Sequence, residues 1–122
     1  VFAGYRADAT RLMTGLYALV HSSVQPEPFG RVIIEGMGAG VPVIASADGA
    51  VPEIVQDGIN GLLTPPGDAH ALAGAMARLL ADAEEARRLA AAGRAAFVER
   101  YTVAQHARQV QAIYERLLRG ER

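Results

Sequence analysis

The stretch Gln25-Pro26-Glu27-Pro28-Phe29-Gly30-Arg31-Val32-Ile33-Ile34-Glu35-Gly36-Met37-Gly38-Ala39-Gly40 decides how this chain is read. Pro26 and Pro28 keep a helix from starting early, and Gly30 lets the backbone approach a ligand closely. From Arg31 onward the residues read as a helix, so the amides around Gly30 to Val32 form a helix start. Such a terminus carries roughly half a positive charge and suits a phosphate or a sugar hydroxyl. Glu27 stands just before the helix and Glu35 about one and a half turns inside it. Two carboxylates so placed do not share a proton; two separate tasks on one extended polar ligand fit better.

Around this stretch, short apolar runs alternate with helical spacing and turn signals. Val1-Phe2-Ala3-Gly4 reads as the tail of a buried strand, and residues 8–15 as a helix with Leu12, Met13 and Leu16 apolar. Tyr17-Ala18-Leu19-Val20, Pro42-Val43-Ile44-Ala45 and Gly61-Leu62-Leu63-Thr64 read as three more strands. All-apolar strands separated by helices indicate a parallel sheet covered on both faces, with right-handed β-α-β crossovers. The decisive stretch then lies in a β-to-α loop at the carboxyl end of a strand, where open α/β sheets bind their ligands.

Downstream the chain is helical in character. Residues 69–96 contain 13 alanines, the strongest helix former. Asp68, Asp82 and Thr102 are predicted N-caps of three successive helices. Leu72, Met76, Leu79 and Leu80 are expected on the inner face of the first, and Leu89 and Phe97 on that of the second. Val110, Ile113, Tyr114, Leu117 and Leu118 give the third a wide apolar face. A four-strand sheet covers that face incompletely, which leaves part of it for a partner domain or a second copy. The 122 residues therefore divide into a β/α sheet part, 1–67, and a helical part, 68–122, of one domain.

Composition narrows the function. Twelve basic and thirteen acidic side chains give a net charge of -1, too little to draw the chain to nucleic acid. Cysteine is absent, so disulfides, thiolate metal sites and thiolate chemistry are excluded. No run approaches the roughly 18–20 apolar residues of a membrane span. The chain opens at Val1 with neither an initiator Met nor a leader peptide, which reads as an excised domain in a cytoplasmic setting.

Glu27 and Glu35, with seven residues between them, match the E-x7-E motif of retaining glycosyltransferases with the GT-B fold, of the family 4 type. The resemblance continues in order through Glu-Pro-Phe-Gly at 27–30, Val-Pro-Val-Ile-Ala-Ser at 41–46, Gly-Ala-Val-Pro-Glu-Ile-Val at 49–55, Asp-Gly-Ile-Asn-Gly-Leu-Leu at 57–63 and Pro-Pro-Gly-Asp at 65–68. It covers nearly the whole chain and implies an α/β, Rossmann-like parallel sheet, part of the C-terminal, donor-binding domain. It implies transfer of a sugar from a nucleotide diphosphate to an acceptor, with retention at the anomeric carbon and no metal cofactor. Glu27 would be the catalytic-site carboxylate contacting donor-sugar hydroxyls. The backbone at Phe29, Gly30, Arg31 and Val32 would approach the sugar and the distal phosphate, and Glu35 would hold the ribose hydroxyls. The diphosphate-gripping Arg and Lys, the base-reading loop and the acceptor-binding N-terminal domain have no counterpart in these residues, so little turnover is expected from them alone. Gly36 and Gly38 stand where the family more often has Ala, Ala50 where it often has Gly, and His21 where Pro is frequent.

Other readings weigh less. Gly36, Gly38 and Gly40 do not make a dinucleotide fingerprint, because the spacing is wrong and they follow helical residues. Glu53 reads as a brace of a short helix, and Asp48-Gly49 as a turn at a strand end. Arg31 faces a phosphate or solvent, with nothing to choose between them. His21 reads as a loop or packing residue before an acid or base. His70, His106 and Arg87-Arg88 read as surface positions. A non-catalytic nucleotide or sugar module, or one dimerising through Ile113 and Leu117, remains the rival to the enzyme domain. A glycoside hydrolase using Glu27 and Glu35 lacks any supporting motif.

Overall fold

The structure, a computed structural model, describes residues 1–120. Three short parallel strands, β1 (Leu19–His21), β2 (Val43–Ser46) and β3 (Leu62–Thr64), lie side by side in that order. Leu19 sits opposite Val43, and Ile44 opposite Leu62. Helices α1 (Ala9–Met13), α2 (Arg31–Ala39) and α3 (Val51–Ile54) fall before and between the strands, and α4 (Ala69–Ala81), α5 (Ala83–Arg100) and α6 (Val103–Leu118) follow them.

The central strand explains the layering. All four residues of β2 are buried, and its three apolar side chains alternate between two cores. Val43 and Ala45 join Leu19, Ile33, Met37 and Val51 on one face, under α2 and α3. Ile44 joins Leu62, Leu79 and Leu89 on the other, under α4 and α5. A strand covered on both faces has no solvent side to mark with polar residues, hence its unbroken apolar run. The expected α/β fold with a parallel sheet and flanking helices is therefore found.

Two expectations fail. Residues 1–3 form no strand: Val1 and Phe2 are fully exposed, since a strand needs a neighbouring edge and none of the described strands pairs with them. On α4, Leu79 is buried and Leu72 packs beside it with Ala75, whereas Met76 and Leu80 face outward. The alanines made the helix but left its inner face ambiguous, and packing against α5 selected the 72, 75, 79 line.

The three predicted caps are in place. Asp68 accepts from the Ala71 amide, Asp82 from those of Glu84 and Glu85, and Thr102 from that of Gln105. Gly38 has a steric reason: a Cβ there would lie 3.0 Å from the Phe97 ring of α5. The motif at 57–61 is a structural turn. Asp57 accepts from the Leu63 amide, and buried Asn60 bridges the Gln56 amide and the Ile54 carbonyl. Arg88 also donates to the Gly58 carbonyl, so it is not a purely solvated side chain. On α6 no residue is buried, and Ile113 and Leu117 are more than half exposed.

Candidate functional site

Residues 22–30 carry the chain from the end of β1 across the carboxyl edge of the sheet into α2. Gly30 is the N-cap residue, at φ 76°, a left-handed conformation natural to glycine. Glu27 closes the loop on itself: its Oε1 accepts from the Gly30 amide at 2.9 Å and the Phe29 amide at 3.3 Å. Its backbone is held too, because the Ala50 amide donates to the Glu27 carbonyl at 2.8 Å. Gly49 makes that approach possible. At φ 58°, a Cβ on Gly49 would stand 2.4 Å from the Glu27 carbonyl oxygen. The side chain of Asp48 accepts from the Gly49 amide and sets the turn, as the sequence indicated.

The Glu27 carboxyl is thereby held below the ordinary glutamate range. The Gly30 amide contributes most, then the Phe29 amide, with a further part from His21. His21, the last residue of β1, brings Nε2 to 3.4 Å from Glu27 Oε2. Nothing in the sequence pointed to this pair, which joins two residues six apart across the loop.

Beyond the loop, the start of α2 keeps part of its donor capacity. The amides of Phe29 and Gly30 are occupied by Glu27, contrary to the expectation that Gly30 would face a ligand with a free N–H. Those of Arg31 and Val32 have no partner among the described residues. The first turn carries no acidic side chain, and Arg31 adds a cation at the positive end of the helix. Arg31 Nε donates to Glu35 Oε1 at 2.9 Å, one turn along. The anion-binding capacity left at this corner is therefore that of the two open amides, with the Arg31 guanidinium beside them shared with Glu35.

Phe29, Arg31 and Glu35 line an open cavity of about 630 Å³, within the usual size range of ligand sites. Its opposite wall is the break between α5 and α6, including Arg100, Tyr101 and His106. The structure thus divides the predicted residues: Phe29, Arg31 and Glu35 share the cavity, whereas Glu27 and Gly30 are joined by their hydrogen bond and lie outside its lining. Arg100, Tyr101 and His106 went unnoticed as site residues because only the return of α5 and α6 across the layer brings them to α2. A smaller cavity of about 190 Å³ lies at the carboxyl ends of the strands, among Ser22, Ser46 and Thr64.

An open parallel layer with a ligand crevice at its carboxyl edge is the architecture of Rossmann-like nucleotide-binding domains. The family model described as glycosyl transferases group 1 matches residues 1–96, and the chain belongs to that family. It is 43% identical over 89 residues to the phosphatidyl-myo-inositol mannosyltransferase of Mycobacterium leprae, covering 73% of this chain and 24% of that protein. It is 33% identical over 98 residues to the N-acetyl-alpha-D-glucosaminyl L-malate synthase of Bacillus anthracis, covering 80% and 26%. The chain thus spans about a quarter of the length of the curated relatives it matches. Among solved structures, Anabaena HepE in complex with UDP superimposes with a TM-score of 0.91 at 36% identity, over 93% of this chain and 31% of that one. HepE in complex with UDP-glucose gives 0.89 at the same identity, over the same shares. The fold is that of the Rossmann-like layer of GT-B glycosyltransferases. Among the described residues no helix is long and apolar enough to cross a membrane.

Two measurements check this geometry. Gly49→Ala should lower folding stability by at least about 2 kcal/mol in urea denaturation, from left-handed strain plus the clash with Glu27; a near-neutral variant would show that the two loops are not locked together. For Glu27, the carboxyl is more acidic in the fold than in the open chain, so its contribution is full above the ordinary glutamate value and is lost as pH falls through the folded one. Glu27→Gln should therefore be less stable than wild type near neutral pH, with the gap closing only as pH falls below the ordinary glutamate range. A gap that is constant with pH would exclude the carboxylate as its source.

Proposed function

We propose that this chain supplies the donor side of a retaining, family 4 type glycosyltransferase that takes its sugar from a nucleotide diphosphate. The observation that carries the reading is the start of α2: two unpartnered amides, a cation and no acidic side chain in the first turn, between Glu27 and Glu35. The diphosphate would lie over the Arg31 and Val32 amides, and the sugar beside Phe29 and Gly30. Glu27 would take sugar hydroxyls and Glu35 the ribose hydroxyls, in keeping with the exposure of part of each carboxylate. Stabilising the departing diphosphate is an electrostatic task, and amides and cations would do it without a metal cofactor. UDP and UDP-glucose in the HepE structures support this class of ligand.

The acceptor would be bound by a separate N-terminal domain, so the 122 residues alone would bind donor with little turnover, in a cytoplasmic setting. The bare apolar face of α6 supports a compatible second reading, self-association through Ile113 and Leu117. Sedimentation at rising concentration would show dimers, and a monomer throughout would dismiss it.

The donor reading is tested by NMR titration with UDP-, GDP- and ADP-sugars. Shifts should cluster at residues 27–35 and at the facing Arg100–His106 wall, and Glu35→Ala should weaken binding roughly tenfold, the worth of one or two hydrogen bonds. A well-folded sample that shifts with none of them would leave the chain a structural module without a donor site.

A further inference from the structure

We infer that His21 is a positioning residue for Glu27, which points the one remaining acceptor position of the Glu27 carboxylate toward the donor sugar. This deepens the donor-site reading and rests on it. The count of lone pairs makes the case. Each carboxylate oxygen offers two acceptor positions. On Glu27, both positions of Oε1 are taken by the Phe29 and Gly30 amides. Oε2 faces His21 Nε2 at 3.4 Å, which leaves a single direction open for a ligand hydroxyl. Without the ring, Oε2 would have two open directions and the carboxylate no fixed one.

The ring itself is placed for this task. The His21 side chain is 12% exposed, and its Nδ1 is buried with no partner among the described residues. A neutral imidazole carries one proton. On Nδ1 that proton would be a buried donor without an acceptor, and the bare Nε2 would face a carboxylate oxygen lone pair to lone pair. On Nε2 it lies on the side of Oε2, 3.4 Å away, a charge-assisted contact short of a finished hydrogen bond. The orphaned Nδ1 therefore selects the Nε2–H tautomer. This gives His21 a role beyond filling space at the end of β1.

The first test needs no ligand. Two-bond 15N–1H correlation spectra of the 122-residue chain should show His21 with its proton on Nε2; a proton on Nδ1 overturns the inference. The second compares His21→Gln, whose amide nitrogen reaches the place of Nε2, with His21→Phe, which keeps the ring volume without a donor. The probes are whichever of UDP-, GDP- and ADP-glucose binds wild type most tightly, and its free nucleoside diphosphate. His21→Phe should lose about tenfold in affinity for the nucleotide sugar but stay within about twofold for the diphosphate. His21→Gln should recover most of the loss. Equal losses for both probes would mean a merely structural residue, and an unrescued His21→Gln would rule out the contact; either overturns the inference. If wild type binds none of the sugars, the donor reading fails, and the tautomer alone then decides for or against the His21–Glu27 pair.

Discussion

The hold on Glu27 is the constraint from which the rest of the site follows. Its carbonyl receives the Ala50 amide from the loop after β2, and its carboxylate receives two amides from the loop before α2. One residue thus ties the ends of two adjacent parallel strands to the start of a helix. The tie is possible only because Gly49 carries no Cβ where the two backbones meet. Any ligand on the carboxyl edge of the sheet meets a loop whose shape is already set, so its binding need not be charged with ordering that loop.

The buried layer beneath makes the hold stiff. β2 is covered on both faces, so neither end of it moves without disturbing one of two cores. α2 is packed just as closely, with Ile33 and Met37 completely buried and Leu19 lying where a side chain on Gly36 would go. The glycines at 36 and 38 weaken α2 as an isolated helix, by about 1 kcal/mol each relative to alanine. In the fold they let β1 and α5 come close. Local propensity and packing pull opposite ways here, and packing decides.

How far the sequence could be read follows the range of the interactions. The caps at Asp68, Asp82 and Thr102 were legible because each bonds within three residues, and so were the strands, whose apolar runs reflect burial on two faces. The β-to-α loop and the helix after it were legible for the same local reason. What could not be read depends on contacts distant in the chain. The absence of a strand at residues 1–3 depends on whether an edge is available. The outward turn of Met76 and Leu80 depends on where α5 lies. The wall formed by Arg100, Tyr101 and His106 exists only once α5 has crossed back to α2, and the His21–Glu27 contact only once the loop has closed.

The two glutamates come out of this as chemically unlike groups although they flank the same helix start. Glu27 is spent mostly on its own loop, and its carboxyl is held in the ionised form by the amides it binds. Glu35 has one partner, the exposed Arg31 beside it, and opens on the larger cavity. An exposed arginine pair of this kind contributes little to stability and exchanges readily for another donor. Under the proposed donor reading, a hydroxyl-bearing ligand would take Glu35 away from Arg31 at small cost and free the guanidinium for a neighbouring phosphate. Glu27 offers no such exchange, because its Oε1 is committed to two backbone amides of its own loop. In the proposed donor site one carboxylate would set the frame and the other would yield to the ligand, a division of labour suited to a long polar molecule that must be gripped at one end and aligned at the other.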